Sequence, residues 1–308
     1  MKQQTPAENN APLLSFTLSE NKASYTVSAC RDSICGGISI PSQYNGLPVT
    51  AIGRSAFNGC HDLTEVSLPI TLTEIGSHAF MWCEKLSGID LPSGVTSIGK
   101  YAFCHCKSLS HINIPSTTET IGEGALRDCT ALSEVNIDKE NKAYTFKGDC
   151  LIELASKALI WGCASSQIPS DGSVERIGIS SFSDRGDITS IVIPSFITDI
   201  GSEAFSACRS LKSITIPGSV KCIGEEAFSC CCSLTDLRIE NGVKFIADAA
   251  FLCCSSIASV TIPASMESIG EYAFARCDAL TEVILPKNLT NVAETAFSDC
   301  EGLSPIRQ

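Results

Sequence analysis

The stretch Ile98-Gly99-Lys100-Tyr101-Ala102-Phe103-Cys104-His105-Cys106-Lys107-Ser108-Leu109-Ser110-His111-Ile112-Asn113-Ile114-Pro115 decides the fold, because its pattern returns every 23 residues through most of the chain. The isoleucine or valine that opens each phrase falls at 52, 75, 98, 121, 177, 200, 223, 246, 269 and 292. Every step is 23 except the one from Ile121 to Ile177, which is 56: one period plus an insertion of 33. Phenylalanine follows in the same register from Phe57 to Phe297, with Leu126 as the one substitute, and cysteine from Cys60 to Cys300, with Arg185 as the one break. A fixed period of this length predicts a solenoid rather than a compact enzyme.

Inside the phrase, Ile112 and Ile114 share one face of an extended segment while His111 and Asn113 point away. Pro115 ends that strand because it brings no N–H to a ladder. Val95 and Ile98 mark a second, shorter extended piece, and Gly99 is read as the residue whose conformational freedom permits a tight bend. Ala102 leaves room for close packing, and Phe103 fills the space between the two layers. The prediction is a β-rich solenoid of ten 23-residue coils, stacked in parallel and curved, each burying its apolar side chains against its neighbours only.

Ahead of the repeats, Phe16, Leu18, Tyr25 and Val27 predict a hairpin turning at 20–22, and Asn45-Gly46 is a strong turn signal. The domain plan is a flexible tail over 1–12, a β cap over 13–51, repeats over 52–137, a β-hairpin insertion over 138–168, and repeats over 169–308. The last coil is incomplete, with Ser304-Pro305 where its strand should begin and a bare edge behind it.

Composition narrows the function classes. With 44% hydrophobic residues and no apolar run near 18, the 308-residue chain has material for a core and no membrane span. A net charge of -12 disfavours phosphate backbones, so nucleic acid is not the expected partner. Residues 1–12 hold no hydrophobic stretch of signal-peptide type, which fits either a cytosolic protein or a mature segment with a new start methionine.

The phrase Ile-Gly-x-x-Ala-Phe-x-x-Cys-x-x-Leu-x-x-Val-x-Ile-Pro resembles the BspA-type, treponemal-class leucine-rich repeat over about residues 38–303, and Tyr44 to Thr50 resembles the segment leading into such arrays. The coil opening at Ile177 departs from it with Ser181 for Ala and Arg185 for Cys. The resemblance implies a right-handed leucine-rich-repeat array with its parallel β-sheet on the concave face. It also implies a bacterial cell-surface or secreted protein that adheres to host matrix or to other cells.

Eighteen cysteines raise the question of disulfides or zinc. Nine occupy one repeated position and read as small core hydrophobes. Cys30 with Cys35, and Cys150 with Cys163, are the pairs placed to close short loops. Many free thiols favour a reducing or anaerobic setting. Cys104-His105-Cys106 with His111, and Cys230-Cys231-Cys232 with Cys253-Cys254, look like metal clusters, but a closed zinc site needs four convergent ligands and the alternate residues should diverge. The histidines sit at different repeat positions, so no nucleophile–base pair emerges, and no glycine loop shaped for a phosphate is present. No cofactor, no metal and no catalytic residues are expected.

Binding is then the expected role, and the outward strand positions are the first place for it: Glu65, Asp90, His111, Asn113, Glu134, Asn136, Asp236, Arg238 and Glu282. This face is polar, mildly acidic and poor in the aromatic anchors usual in protein hot spots. The hydroxyl row Thr64, Ser87, Ser110, Ser133 and its continuation is expected to bond neighbouring backbone. The insertion is the second place, read as a small protruding hairpin or three short strands, on which Tyr144, Phe146 and Trp161 either meet a partner or pack onto the adjacent coil. The expected function is a non-enzymatic protein-binding scaffold with a host matrix protein as partner. The rivals are a self-associating homodimer, joined through the insertion or the last coil, and a glycan-binding module.

Overall fold

A computed structural model describes residues 14–30 and 34–303, and none of them is helical. The chain divides into two compact units, 1–146 and 147–308. Each is a β-solenoid.

In the first unit, Leu14–Leu18 pairs antiparallel with Tyr25–Cys30, Leu18 opposite Tyr25, and the turn between them closes with Lys22 at a φ of 56°. Tyr25–Cys30 then lies parallel to Leu47–Ile52, and the short strands Glu74–Ile75, Ser97–Ile98 and Thr120–Ile121 follow one coil apart. Tyr44 stacks on Phe16 with ring centroids 4.2 Å apart, fastening the hairpin to the first coil. The second face carries Gly36–Ser39 beside Leu63–Ser67, and Gly88–Asp90, His111–Ile114 and Glu134–Ile137 in parallel register. The second unit repeats the plan. Arg176–Ile177, Asp199–Ile200, Cys222–Ile223, Phe245–Ile246, Ser268–Ile269 and Asn291–Val292 stack in parallel, opposite Ser213–Ile216 with Asp236–Ile239 and Ser259–Thr261 with Glu282–Ile284.

Between the two strands of a coil the chain runs through an arc that is neither helix nor strand, yet its N–H groups are placed. In the coil opening at Ile98, Tyr101, Phe103 and His105 donate to the carbonyls of Glu123, Ala125 and Arg127 in the next coil, while Ala102, Cys104 and Cys106 donate back to Gly99, Tyr101 and Phe103. This alternation requires left-handed backbone twice per coil. Non-glycine residues take it on: His78 and Trp82 at φ 60° and 64°, Tyr101 and His105 at 55° and 61°, Glu226 and Cys230 at 52° and 59°.

Gly99 does bend the chain, but its φ is not positive. The glycine is required instead by close approach between coils. A Cβ built on Gly76 would stand 2.8 Å from the Arg54 amide nitrogen, and one on Gly201 2.9 Å from the Gly178 carbonyl carbon. Where alanine occupies this column, at Ala247 and Ala293, the bond from its N–H to the preceding coil is 3.0 Å, against 2.7 to 2.9 Å at the glycines.

The phenylalanines form stacked ladders: Phe205, Phe228 and Phe251 are fully buried, with successive centroids 5.0 and 5.2 Å apart and planes within 7°. Beside them runs the cysteine row. From Cys83 onward the thiols donate to the carbonyl of the phenylalanine one coil back: Cys106 to Phe80 at 3.1 Å, Cys231 to Phe205 at 3.2 Å, Cys254 to Phe228 at 3.1 Å. Burial pushes the Cys277 thiol up to about 12 and holds Cys106 and Cys254 well above the ordinary thiol range.

The insertion does not protrude. Cys150–Glu153 pairs antiparallel with Ala158–Gly162, and the latter lies parallel to Arg176–Ile177, Leu159 opposite Ile177. Its last strand therefore serves as the short strand of a coil, and Cys150, Ile152 and Leu159 join the core. Trp161 is 4% exposed and packs near Arg185, whose guanidinium carbon lies 5.9 Å from the ring centroid. Arg185 is itself buried, with Nη2 2.8 Å from Asp187 Oδ2.

Candidate functional site

The outward residues of the first unit form two rows. One runs Gly37, Glu65, Gly88, His111, Glu134, and the other Ser39, Ser67, Asp90, Asn113, Asn136; parallel pairing sets the steps within each sheet, and the 23-residue period joins Glu65 to Gly88 and Ser67 to Asp90 across one depression. The second row is a hydrogen-bonded ladder: Asn113 Nδ2 donates to Asp90 Oδ1, and Asn136 Nδ2 donates to Asn113 Oδ1 at 3.0 Å. Asp90 ends the chain of donors as a pure acceptor, fixing the amide orientations behind it.

In the first row Gly88 offers no side chain, and the His111 imidazole lies over it: a Cβ there would fall 2.6 Å from His111 Nδ1. Ser110 Oγ stands 3.3 Å from the same nitrogen. Glu65, Ser67, Ser87, Gly88, Asp90 and His111 line a depression of about 470 Å³. Its rim carries two carboxylates and no Lys or Arg, so it accepts hydrogen bonds and favours cationic groups.

The hydroxyls one step earlier bond backbone, as expected: Ser87 to the Thr64 carbonyl at 3.1 Å and Ser110 to that of Ser87 at 2.8 Å. In the second unit, Asp236 and Arg238 pair in register with Ser213 and Thr215, and Glu282 with Ser259. Val192 and Ile284, at the positions equivalent to Arg238, are exposed, and Asp236 helps line a depression of about 410 Å³ with Val192 and Thr215.

Two of the three insertion aromatics, Tyr144 and Trp161, are not available as contacts. Tyr144 is buried and its hydroxyl oxygen accepts from the Ile121 N–H of its own unit at 2.7 Å, while Trp161 is core and Phe146 is half-exposed. Cys150 and Cys163 are free thiols, since Cys150 turns into the core and Cys163 lies 3.1 Å from Ser165 Oγ at the surface. The Cys30–Cys35 pairing and the edge at Ser304-Pro305 fall outside the described side chains. Cys104 and Cys106 face the core, His111 faces the strand surface, and His105 is held elsewhere, so this cluster does not converge.

Sequence reasoning passed over the residues that hold His105. Trp82 and His105 stack with centroids 3.7 Å apart and planes at 16°, and His105 Nδ1 bonds Asp128 Oδ2 at 2.7 Å. An ionised carboxylate only accepts, so Nδ1 carries the hydrogen. Lys107 Nζ sits 5.7 Å from the Trp82 centroid and 3.5 Å from Glu84 Oε1. The spacing 82, 105, 128 was the available signal, because one period brings equivalent positions into contact.

Solved structures with this fold include a leucine rich cell surface protein from Faecalibacterium prausnitzii A2-165, 23% identical, covering 96% of this chain and 93% of that one at a TM-score of 0.58. A leucine-rich repeat protein from Eubacterium ventriosum is 23% identical, with 94% of each chain covered and a TM-score of 0.65. The pneumococcal vaccine antigen PcpA is 16% identical, covering 96% and 85% at 0.61. At these identities the likeness is one of fold. A search of curated proteins gave no match. The model of the BspA type leucine rich repeat region matches residues 15–154 and 175–304 in six copies, and the chain belongs to that family.

Proposed function

We propose that the chain is a non-enzymatic scaffold of a bacterial cell surface, holding a host matrix or cell-surface protein on the strand face of its first unit. The carrying observation is the depression rimmed by Glu65 and Asp90, backed by the fixed Asp90–Asn113–Asn136 ladder. Side chains already ordered by the repeat lose little further freedom on binding, which favours association. The acidic rim selects a partner that presents Lys or Arg to it. Burial of Tyr144 and Trp161 favours this strand face over the insertion as the contact surface.

The test is surface plasmon resonance of the full chain against a panel of matrix and epithelial surface proteins. A saturable partner should bind at least tenfold more weakly to Glu65→Gln and Asp90→Asn, with a smaller salt dependence. Binding that ignores both substitutions, or a panel with no saturable partner, refutes the proposal.

A further inference from the structure

The second left-handed position of each arc forms a column on which equivalent side chains of adjacent coils stand side by side. In the second unit it places Cys230 and Cys253 next to each other, at φ 59° and 58°, with their N–H groups bonded to Leu252 and Ala275 in the following coils. Both thiols are partly exposed, Cys232 beside them is exposed, and the Cys253 thiol interacts with Cys230 and with Cys232. Their sequence neighbours Cys231 and Cys254 are committed to the core, each donating to a phenylalanine carbonyl. The pair is thus separated from the structural row.

The spacing decides what two such thiols can hold. The coils carrying them lie 5.2 Å apart at their phenylalanine rings, and identical positions on parallel coils present near-parallel Cα–Cβ bonds. A disulfide needs Cβ atoms about 3.8 Å apart and crossed, so this arrangement disfavours an S–S bond. A closed zinc site needs four ligands, and among the described residues no group of three or more His, Cys, Asp or Glu converges. A cation with two sulfur ligands needs sulfurs about 4.6 Å apart, from two metal–sulfur bonds of about 2.3 Å, and thiolates select soft cations.

We propose that Cys230 and Cys253 form a two-coordinate site for a soft monovalent cation of the Cu(I) class, bridging adjacent coils. Each thiol gives up its proton to solvent, two metal–sulfur bonds form, and no electron is transferred. Arg276, the next residue of the column, offsets the net negative charge of the dithiolate and lowers the Cys253 pKa against the dominant effect of burial, which raises it. Arg276 Nε is also 3.7 Å from Asp299 Oδ2, so that carboxylate competes for it.

The experiment is an anaerobic titration of the reduced full chain with Cu(I) against the chromogenic chelator bicinchoninate, with far-UV circular dichroism to verify folding. One equivalent should be withdrawn from the chelator by the native chain, lost in Cys230→Ser and in Cys253→Ser, and retained in Cys232→Ser. Release of two protons should raise the apparent affinity about 100-fold per pH unit below the thiol pKa values. A folded single-serine variant at either position that keeps the equivalent, or a pH slope of only about tenfold, overturns the proposal. So does a 2 Da mass loss on air exposure that maps to a Cys230–Cys253 disulfide.

Discussion

Phe228 is the sharpest place to test how the array holds together. Its ring is fully buried between Phe205 and Phe251, at 5.0 and 5.2 Å, and its N–H bonds the Ala250 carbonyl at 2.7 Å. Phe228→Ala removes a ring contacted on both faces, and the inter-coil bonds on either side keep the gap from collapsing. The loss should reach the upper part of the usual range for phenylalanine truncation, about 4–5 kcal/mol. Phe297 supplies an internal control, since it is half-exposed and stacks on one side only, 5.4 Å from Phe274. Phe297→Ala should cost about 1–2 kcal/mol, by loss of one stacked pair and partial burial. Urea unfolding followed by circular dichroism and by Trp161 fluorescence, in a Trp82→Phe background, measures both. Equal losses at the two positions, or a loss below about 2 kcal/mol at Phe228, would show that the ladder does not carry the stability assigned to it.

Two further outcomes follow from the cysteine row and the glycine column. The folded Cys277 pKa lies near 12, above the ordinary 9.0, so the folded state retains a proton that the unfolded chain releases. Stability is therefore full below pH 9 and falls as pH rises from 9 toward 12, by about 1.4 kcal/mol per pH unit for each such thiol. The urea midpoint should drop between pH 8 and 10.5, and drop less in Cys277→Ala; a midpoint that rises contradicts the account. Gly201→Ala should cost about 1–3 kcal/mol, because the new methyl meets backbone of the preceding coil rather than a movable side chain; an unchanged melting temperature would mean the coils part freely.

Much of the fold was legible because a solenoid writes its contacts at a constant sequence offset. Cys106, Phe103 and Ile98 could be assigned inward from the period alone, and the antiparallel hairpin around Lys22 from its alternation. Gly99 was read correctly as the place of the bend and for the wrong reason, since a clash with another coil leaves no mark in local sequence. The left-handed positions went unseen because Trp82, His105 and Cys230, not glycine, occupy them. Within the insertion the short strands were legible, but Tyr144 and Trp161 as contacts were not: aromatic residues outside the period look surplus, whereas Ala158–Gly162 replaces a missing short strand and draws Trp161 inward. The place of each outward residue on the strands could be read from the sequence. The gap at Gly88 that seats His111 could not, because an absent side chain adds nothing to a row of candidates.

The wiring between coils also sets a rule for how such a chain can change length. Alternate arc N–H groups reach a carbonyl 22 residues ahead, and the row thiols one 26 residues behind. Excising one whole period lets every donor find an equivalent acceptor, while excising any other number shifts a full coil out of phase and strands several buried polar groups at once. Duplication and loss are thereby quantised in units of one coil. A foreign segment can enter only by closing its own ring, as the stretch around Leu159 does.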